Sequence, residues 1–254
     1  MKTITFFVVT LLSGAIGGLL LGIINQFITE PFIDKAINVE TQRDIAAGEQ
    51  VDSQQQFQYR IWQKSGEIVA ATILGTSLGA LFGIVFAYSR KSILPGSSNI
   101  QKAIILAGIM WFVLFFMTAL KYPPNPPSVG DPNTIYYRQT LYVAFISISG
   151  FSALGAAFLY RKLGNISSQT LFSKTRIRII VAPVVYVAIM IGAYIGLPPN
   201  PDPIHTPMDI VTNFRIASVF TMAAYWGMMS VIFGILWEKF KPHEEEKRRT
   251  LRQL

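Results

Sequence analysis

Residues 4–28 read ITFFVVTLLSGAIGGLLLGIINQFI, without one acidic or basic side chain. A helix of about 20 apolar residues is what crosses a bilayer. Lys2 ahead of an apolar run also suits a secretory leader, but a leader's apolar core is only about 7–15 residues long. This run stays uncharged as far as Thr29 and offers no small-residue cleavage site, so it is expected to be retained as a helix. Five further stretches with uncharged interiors follow, at about 68–88, 103–120, 140–160, 177–197 and 216–237.

The composition agrees. The chain has 254 residues, 51% hydrophobic and only 14% charged, with a mean hydropathy of +0.41; a soluble domain carries about 25% charge. Eighteen Phe, 10 Tyr and 4 Trp exclude a disordered chain. The absence of Cys excludes disulfides, Cys-ligated zinc, iron–sulfur clusters and thiol catalysis.

A net charge of +8 could suggest nucleic acid, yet its distribution follows membrane orientation instead. Alternate connections collect 15 of the 22 Lys and Arg residues but only 4 of the 14 acidic ones. The remaining 7 basic and 10 acidic residues fall on the opposite side. Basic ends mark the cytoplasm. The expected fold is an all-α integral membrane protein of the cell membrane. It has six transmembrane helices as three hairpins, N-in/C-in, with a helical extracytoplasmic arm at 31–67. The membrane domain would cover 1–240 and a charged cytoplasmic tail 241–254, where Glu244 and Arg248, and Glu245 and Arg249, have helical i,i+4 spacing. No nucleic-acid partner is implied.

Two outer connections repeat a motif. Pro123-Pro124-Asn125-Pro126 and Pro198-Pro199-Asn200-Pro201 each precede an acidic residue (Asp131; Asp202) and then an Arg just before the next helix (Arg138; Arg215). Consecutive prolines lack amide donors and fix φ, so they stop a helix and hold an extended loop. Two readings stand open: a rigid terminator at the membrane surface, or a stiff mouth-lining loop that holds Asn125, Asn200 and the aspartates near a path. Arg138 and Arg215 either snorkel to headgroups or pair with Asp131, Asp202 or the loop carbonyls.

Gly14, Gly18 and Gly22 recur every four residues in the first span, and Gly75, Gly79 and Gly83 do so in the second. Small residues on one face let helix backbones approach closely in lipid; a glycine-lined conduit is the alternative. Enzyme motifs are missing: no phosphate loop, H-E-x-x-H, G-x-S-x-G or nucleotide fingerprint occurs. Candidate metal ligands are Glu30 and Asp34, one helical turn apart at the start of the arm, with Asp131, Asp202 and His205 in the outer loops. Such carboxylates and an imidazole suit hard-to-borderline divalent ions. A solvated arm and a solvated loop histidine near Asp202 and Asp209 are the plain alternatives. His243 lies in the tail.

The chain also resembles a known family, CbtA, whose members are probable cobalt transporter subunits, over essentially its full length. The features that carry the resemblance are Pro31 and Glu40, then Trp62 and Gly66-Glu67. Next come the run from Lys121-Tyr122-Pro123-Pro124 through Gly130-Asp131-Pro132-Asn133-Thr134-Ile135, and the pair Arg138-Gln139. Phe214-Arg215-Ile216-Ala217-Ser218, Tyr225-Trp226-Gly227 and Phe233-Gly234 complete the set. The resemblance implies a multi-pass subunit for cobalt uptake, linked to cobalamin metabolism, working beside a small single-span membrane subunit rich in His. Many relatives are His-rich in the first outer loop, where this chain has Gln54, Gln55, Gln56 and Gln58. Metal capture would then fall to carboxylates and His205, or to the partner. The expected function is a permease subunit for a divalent metal ion, with Co²⁺ as transported ion, no permanently bound cofactor, no catalysis and a possible homo-oligomer. The alternative is a non-transporting scaffold that assembles with another transporter component.

Overall fold

The computed structural model describes residues 3–91, 93–164 and 174–240. The described residues contain helices and no strand. The elements are α1 (Thr3–Ile28), α2 (Glu30–Ala46), α3 (Ser53–Ser89), α4 (Asn99–Trp111), a π-helical turn (Phe112–Phe116), α5 (Met117–Lys121), a 3₁₀ turn (Pro132–Thr134), α6 (Ile135–Gly164), α7 (Lys174–Gly196) and α8 (Met208–Phe240). Six helical stretches are long and apolar enough to cross a membrane, with α4, the π turn and α5 forming one of them. The chain is a multi-pass membrane protein. The charged tail at 241–254, with His243, lies outside the described residues, as does the connection between α6 and α7.

Several helices overrun their apolar stretches. α3 begins at Ser53, far ahead of the apolar run at 68, because Asp52 caps it: its carboxylate accepts from the amides of Gln54 and Gln55. α8 likewise begins at Met208, with Asp209 in its first turn. Hydropathy marks only the greasy part of such a helix. Between α1 and α2 the chain bends at Thr29, where Pro31 cannot donate an amide to the preceding turn.

The α1 glycine ridge lies directly on the α3 ridge. A Cβ at Gly75 would stand 2.5 Å from Gly18 Cα and 2.6 Å from the Gly14 carbonyl, and one at Gly79 would stand 2.6 Å from Gly14 Cα. Tyr225 of α8 donates to the Gly75 carbonyl at 3.0 Å, so three helices meet at that residue. Around them Phe82, Phe86, Phe233 and Trp237 form a buried aromatic cluster of edge-to-face pairs, with Phe82–Phe233 centroids 4.9 Å apart.

The expected three hairpins need correction. α1 packs on α3 as expected, but α8 packs on α1 and α4, and α7 packs on α6. The physical reason is the connection from 197 to 207, whose five prolines hold it extended at about 3 Å per residue. That reach carries the chain from α7, packed on α6, to α8, packed on α1 and α4. A second, smaller core results: Val113, Tyr122, Leu141, Phe145, Tyr186 and Met190. Here the π turn meets α6 and α7. The buried Ser149 hydroxyl donates to the Val113 carbonyl at 2.6 Å, which leaves the Tyr186 hydroxyl, 2.8 Å away, to donate to Ser149. In a bilayer such backbone oxygens need internal partners.

Candidate functional site at the arm-side loops

The arm and both Pro-Pro-Asn-Pro loops come together at one end of the bundle. α5 stops at Lys121 because Pro123 and Pro124 cannot extend it. The Lys121 ammonium donates to the Tyr194 carbonyl at 2.6 Å and stands 4.6 Å from that ring. The Tyr122 hydroxyl donates to the Pro198 carbonyl at 2.6 Å. Each loop is thereby fixed to the end of the other's helix.

The arginines then cross between repeats. Arg215, at the start of α8, donates from Nε and Nη2 to the Asn125 side-chain oxygen at 3.0 and 2.7 Å. Arg138, on the first turn of α6, meets the Asp202 carboxylate at 2.9 Å. Asp202 Oδ2 also accepts from the Asp131 amide at 3.0 Å and the Thr134 hydroxyl at 2.6 Å. Its side chain is only 4% exposed, against 24% for Arg138. Asn200 accepts from the Asp202 amide at 3.1 Å and so shapes the turn that presents the carboxylate. The Asp131 side chain caps the 3₁₀ turn by accepting from the Asn133 amide at 2.8 Å. Arg138 reaches the Asp131 backbone carbonyl at 3.1 Å, not its carboxylate.

Gly130 makes this approach possible. Its φ is +100°, and a Cβ there would stand 2.6 Å from Arg138 Nη1 and 2.7 Å from Asp202 Oδ2. Only glycine fits both the conformation and the space.

The arm supplies a second charged junction. Arg60 of α3 pairs with Glu30 and with Asp34, the latter at 2.8 Å, and Lys64 pairs with Asp34 at 2.8 Å. Gln26 donates to Glu67 at 2.7 Å, and Gln56 to Thr41 at 2.7 Å. Burial acts to raise the Asp34 carboxyl, but Lys64 and Arg60 outweigh it and hold the group below its ordinary 3.8. The stability this gives is present above the ordinary value and is lost as pH falls through the lowered one. Glu40 moves the opposite way: burial and then the charge of Asp44 raise it, against Arg43. It takes up its proton first on acidification, which relieves repulsion. The distance between spin labels at Asn38 and Gln58 should therefore hold through mild acid and widen only below about pH 4. Asp34→Asn should bring that widening to neutral pH.

An open cleft of about 450 Å³ separates arm from loops, lined by Glu40, Arg43, Asp44, Ser128 and His205. Arg43 donates to the His205 carbonyl, and the Ser128 and Thr206 hydroxyls stand 3.3 Å apart. The five candidate ligands do not converge: Glu30 and Asp34 are held by Arg60, Asp202 by Arg138, Asp131 caps its turn, and His205 stands at the cleft. Among the described residues no group of three His, Asp or Glu side chains could hold a metal ion. Arg60 and Lys64 were not singled out from sequence, where only the excess of acidic residues near them hinted at a role; Tyr122 and Thr134 stood there only within the run that carries the family resemblance.

No curated protein and no solved structure matches the chain. A family model described as probable cobalt transporter subunit (CbtA) matches residues 3–238. With six membrane-spanning helices and a match over nearly the whole chain, the protein belongs to the CbtA family of probable cobalt transporter subunits.

Proposed function

We propose that the chain is the permease subunit of an uptake system for a divalent metal ion, cobalt, which it moves inward for use in cobalamin metabolism. The family match carries this reading. It is supported by ten acidic residues in the connections expected outside against four in those expected inside, which would raise the local concentration of cations at the mouth. The cleft with Glu40, Asp44 and His205 is where a hydrated ion first collects. Carboxylate and imidazole groups suit a borderline divalent ion. The crossed Arg138–Asp202 and Arg215–Asn125 grips hold the loops beside that cleft in one arrangement and act as its gating element. Tight capture falls to a partner, a small single-span membrane subunit rich in His. The sequence has no nucleotide-binding motif, so coupling is to an ion gradient or to another protein.

Cells expressing the chain with its partner should accumulate cobalt from nanomolar medium in preference to nickel, zinc and manganese, as measured by elemental analysis. Equal accumulation of all four would remove cobalt from the proposal. The proposal also places both termini in the cytoplasm, as the distribution of Lys and Arg predicts. Because the chain has no Cys, a single Cys at Ser128 should label from outside intact cells. One at Ser168, outside the described residues, should label only after permeabilisation.

A further inference from the structure

α3 is longer than its crossing requires. Its 37 residues extend about 55 Å, whereas a bilayer is about 30 Å of hydrocarbon and 40–45 Å with both headgroup layers. The helix ends at Ser89, beside Arg90 and Lys91. Measured from there, Ile68 stands at about 30 Å and Trp62 at about 40 Å, the depth of the opposite headgroup layer. On this count Trp62 falls within the 40–45 Å that a bilayer spans with both headgroup layers.

Its two faces differ. Gln56, Arg60 and Lys64 bind α2. Turned away from α2 are Tyr59, Ile61 and Trp62, which are 55%, 51% and 67% exposed. Nothing lies within 4 Å of where a Gly66 Cβ would stand. Below them Val69 and Ile73, equally exposed, belong to the apolar crossing. At 3.6 residues per turn Trp62, Val69 and Ile73 fall within about 40° of one another. The exposed stripe of α3 thus runs past the end of the apolar run, through Gly66, to Trp62. The Tyr59 and Trp62 rings stack with centroids 5.7 Å apart. Amphipathic rings at this depth are what the membrane–water interface favours.

We propose that the Tyr59–Trp62 segment is a membrane anchor, a surface that binds the lipid headgroup layer and seats the arm on the bilayer. Trp62 extends the exposed stripe of Val69 and Ile73, and the exposed Ile61 stands about 100° round the helix from it at the same depth. Through Arg60 and Lys64 the anchor fixes the depth of α2, and so holds the acidic cleft close to the membrane surface.

The test uses the purified full-length chain in phosphatidylcholine vesicles brominated either near the glycerol end or at mid-chain. Subtracting the emission of Trp62→Phe from wild type isolates Trp62 from Trp111, Trp226 and Trp237. Shallow bromines should quench the Trp62 signal about twofold or more, deep bromines less, and aqueous iodide weakly. Strong iodide quenching without bromolipid quenching would overturn the anchor and leave this face for a protein partner. A nitroxide on Ile61→Cys reports separately. Relaxation by membrane-dissolved oxygen should exceed that by an aqueous nickel chelate, and the reverse order would overturn the proposal.

Discussion

Arg138→Ala is expected to abolish cobalt uptake while the protein still reaches the membrane. The substitution removes the guanidinium that, among the described residues, meets the Asp202 carboxylate, which is 4% exposed. That charge is left with one amide and one hydroxyl, from Asp131 and Thr134. Breaking a buried pair by deleting one partner costs about 3–5 kcal/mol; the part-exposed Arg138 places this case near 3. If the latched arrangement of the loops is the working one, that cost lowers its population by about a hundredfold. Arg138→Lys should recover only part of the activity. A lysine replaces one contact, whereas Arg138 uses its fork to reach Asp202, Thr134 and the Asp131 carbonyl together. Asp131→Asn should be milder, because an asparagine oxygen still accepts from the Asn133 amide. Truncation after Phe240 removes none of these contacts and should leave uptake near wild type. Uptake rates and surface expression measured together separate loss of mechanism from loss of protein.

Gly75→Leu should prevent the bundle from assembling. Even the first carbon of a new side chain meets Gly18 Cα at 2.5 Å, and that atom is backbone with no rotamer to change. Overpacking a tight core costs about 1–3 kcal/mol where neighbours can move, and here α1 as a whole would have to move. Such a shift would also pull Gly75 from the Tyr225 hydroxyl at 3.0 Å. Gly75→Ala should give a folded protein with a clearly lowered Tm in detergent. Gly66→Ala is the control: it meets nothing within 4 Å and gains helix propensity, so its Tm should hold or rise.

The six spans were legible because each is a run without charge, and lipid imposes that requirement directly. The polar first turns of α3 and α8 were not, since a capped helix outside the bilayer obeys no hydropathy rule. Spacing put Glu30 and Asp34 on one face. It could not supply Arg60, 26 and 30 positions away in sequence, which turns that face into an ion-pair junction. The repeat of Pro-Pro-Asn-Pro was visible, but which arginine meets which copy was not. Arg215 holds the asparagine of the first copy, and Arg138 the aspartate of the second together with the Asp131 carbonyl of its own loop. That crossing depends on α7 pairing with α6, with α8 elsewhere, a tertiary choice written in no local pattern. The π turn at Phe112–Phe116 had no signal either: five apolar residues fit an α-helix equally well.

The most direct test is the initial rate of cobalt entry into cells that lack other cobalt uptake, at nanomolar external metal and with the candidate partner supplied. Entry should rise above background when the wild-type chain is present and fall back to it with Arg138→Ala at equal membrane expression. Equal rates with and without the wild-type chain would contradict the account.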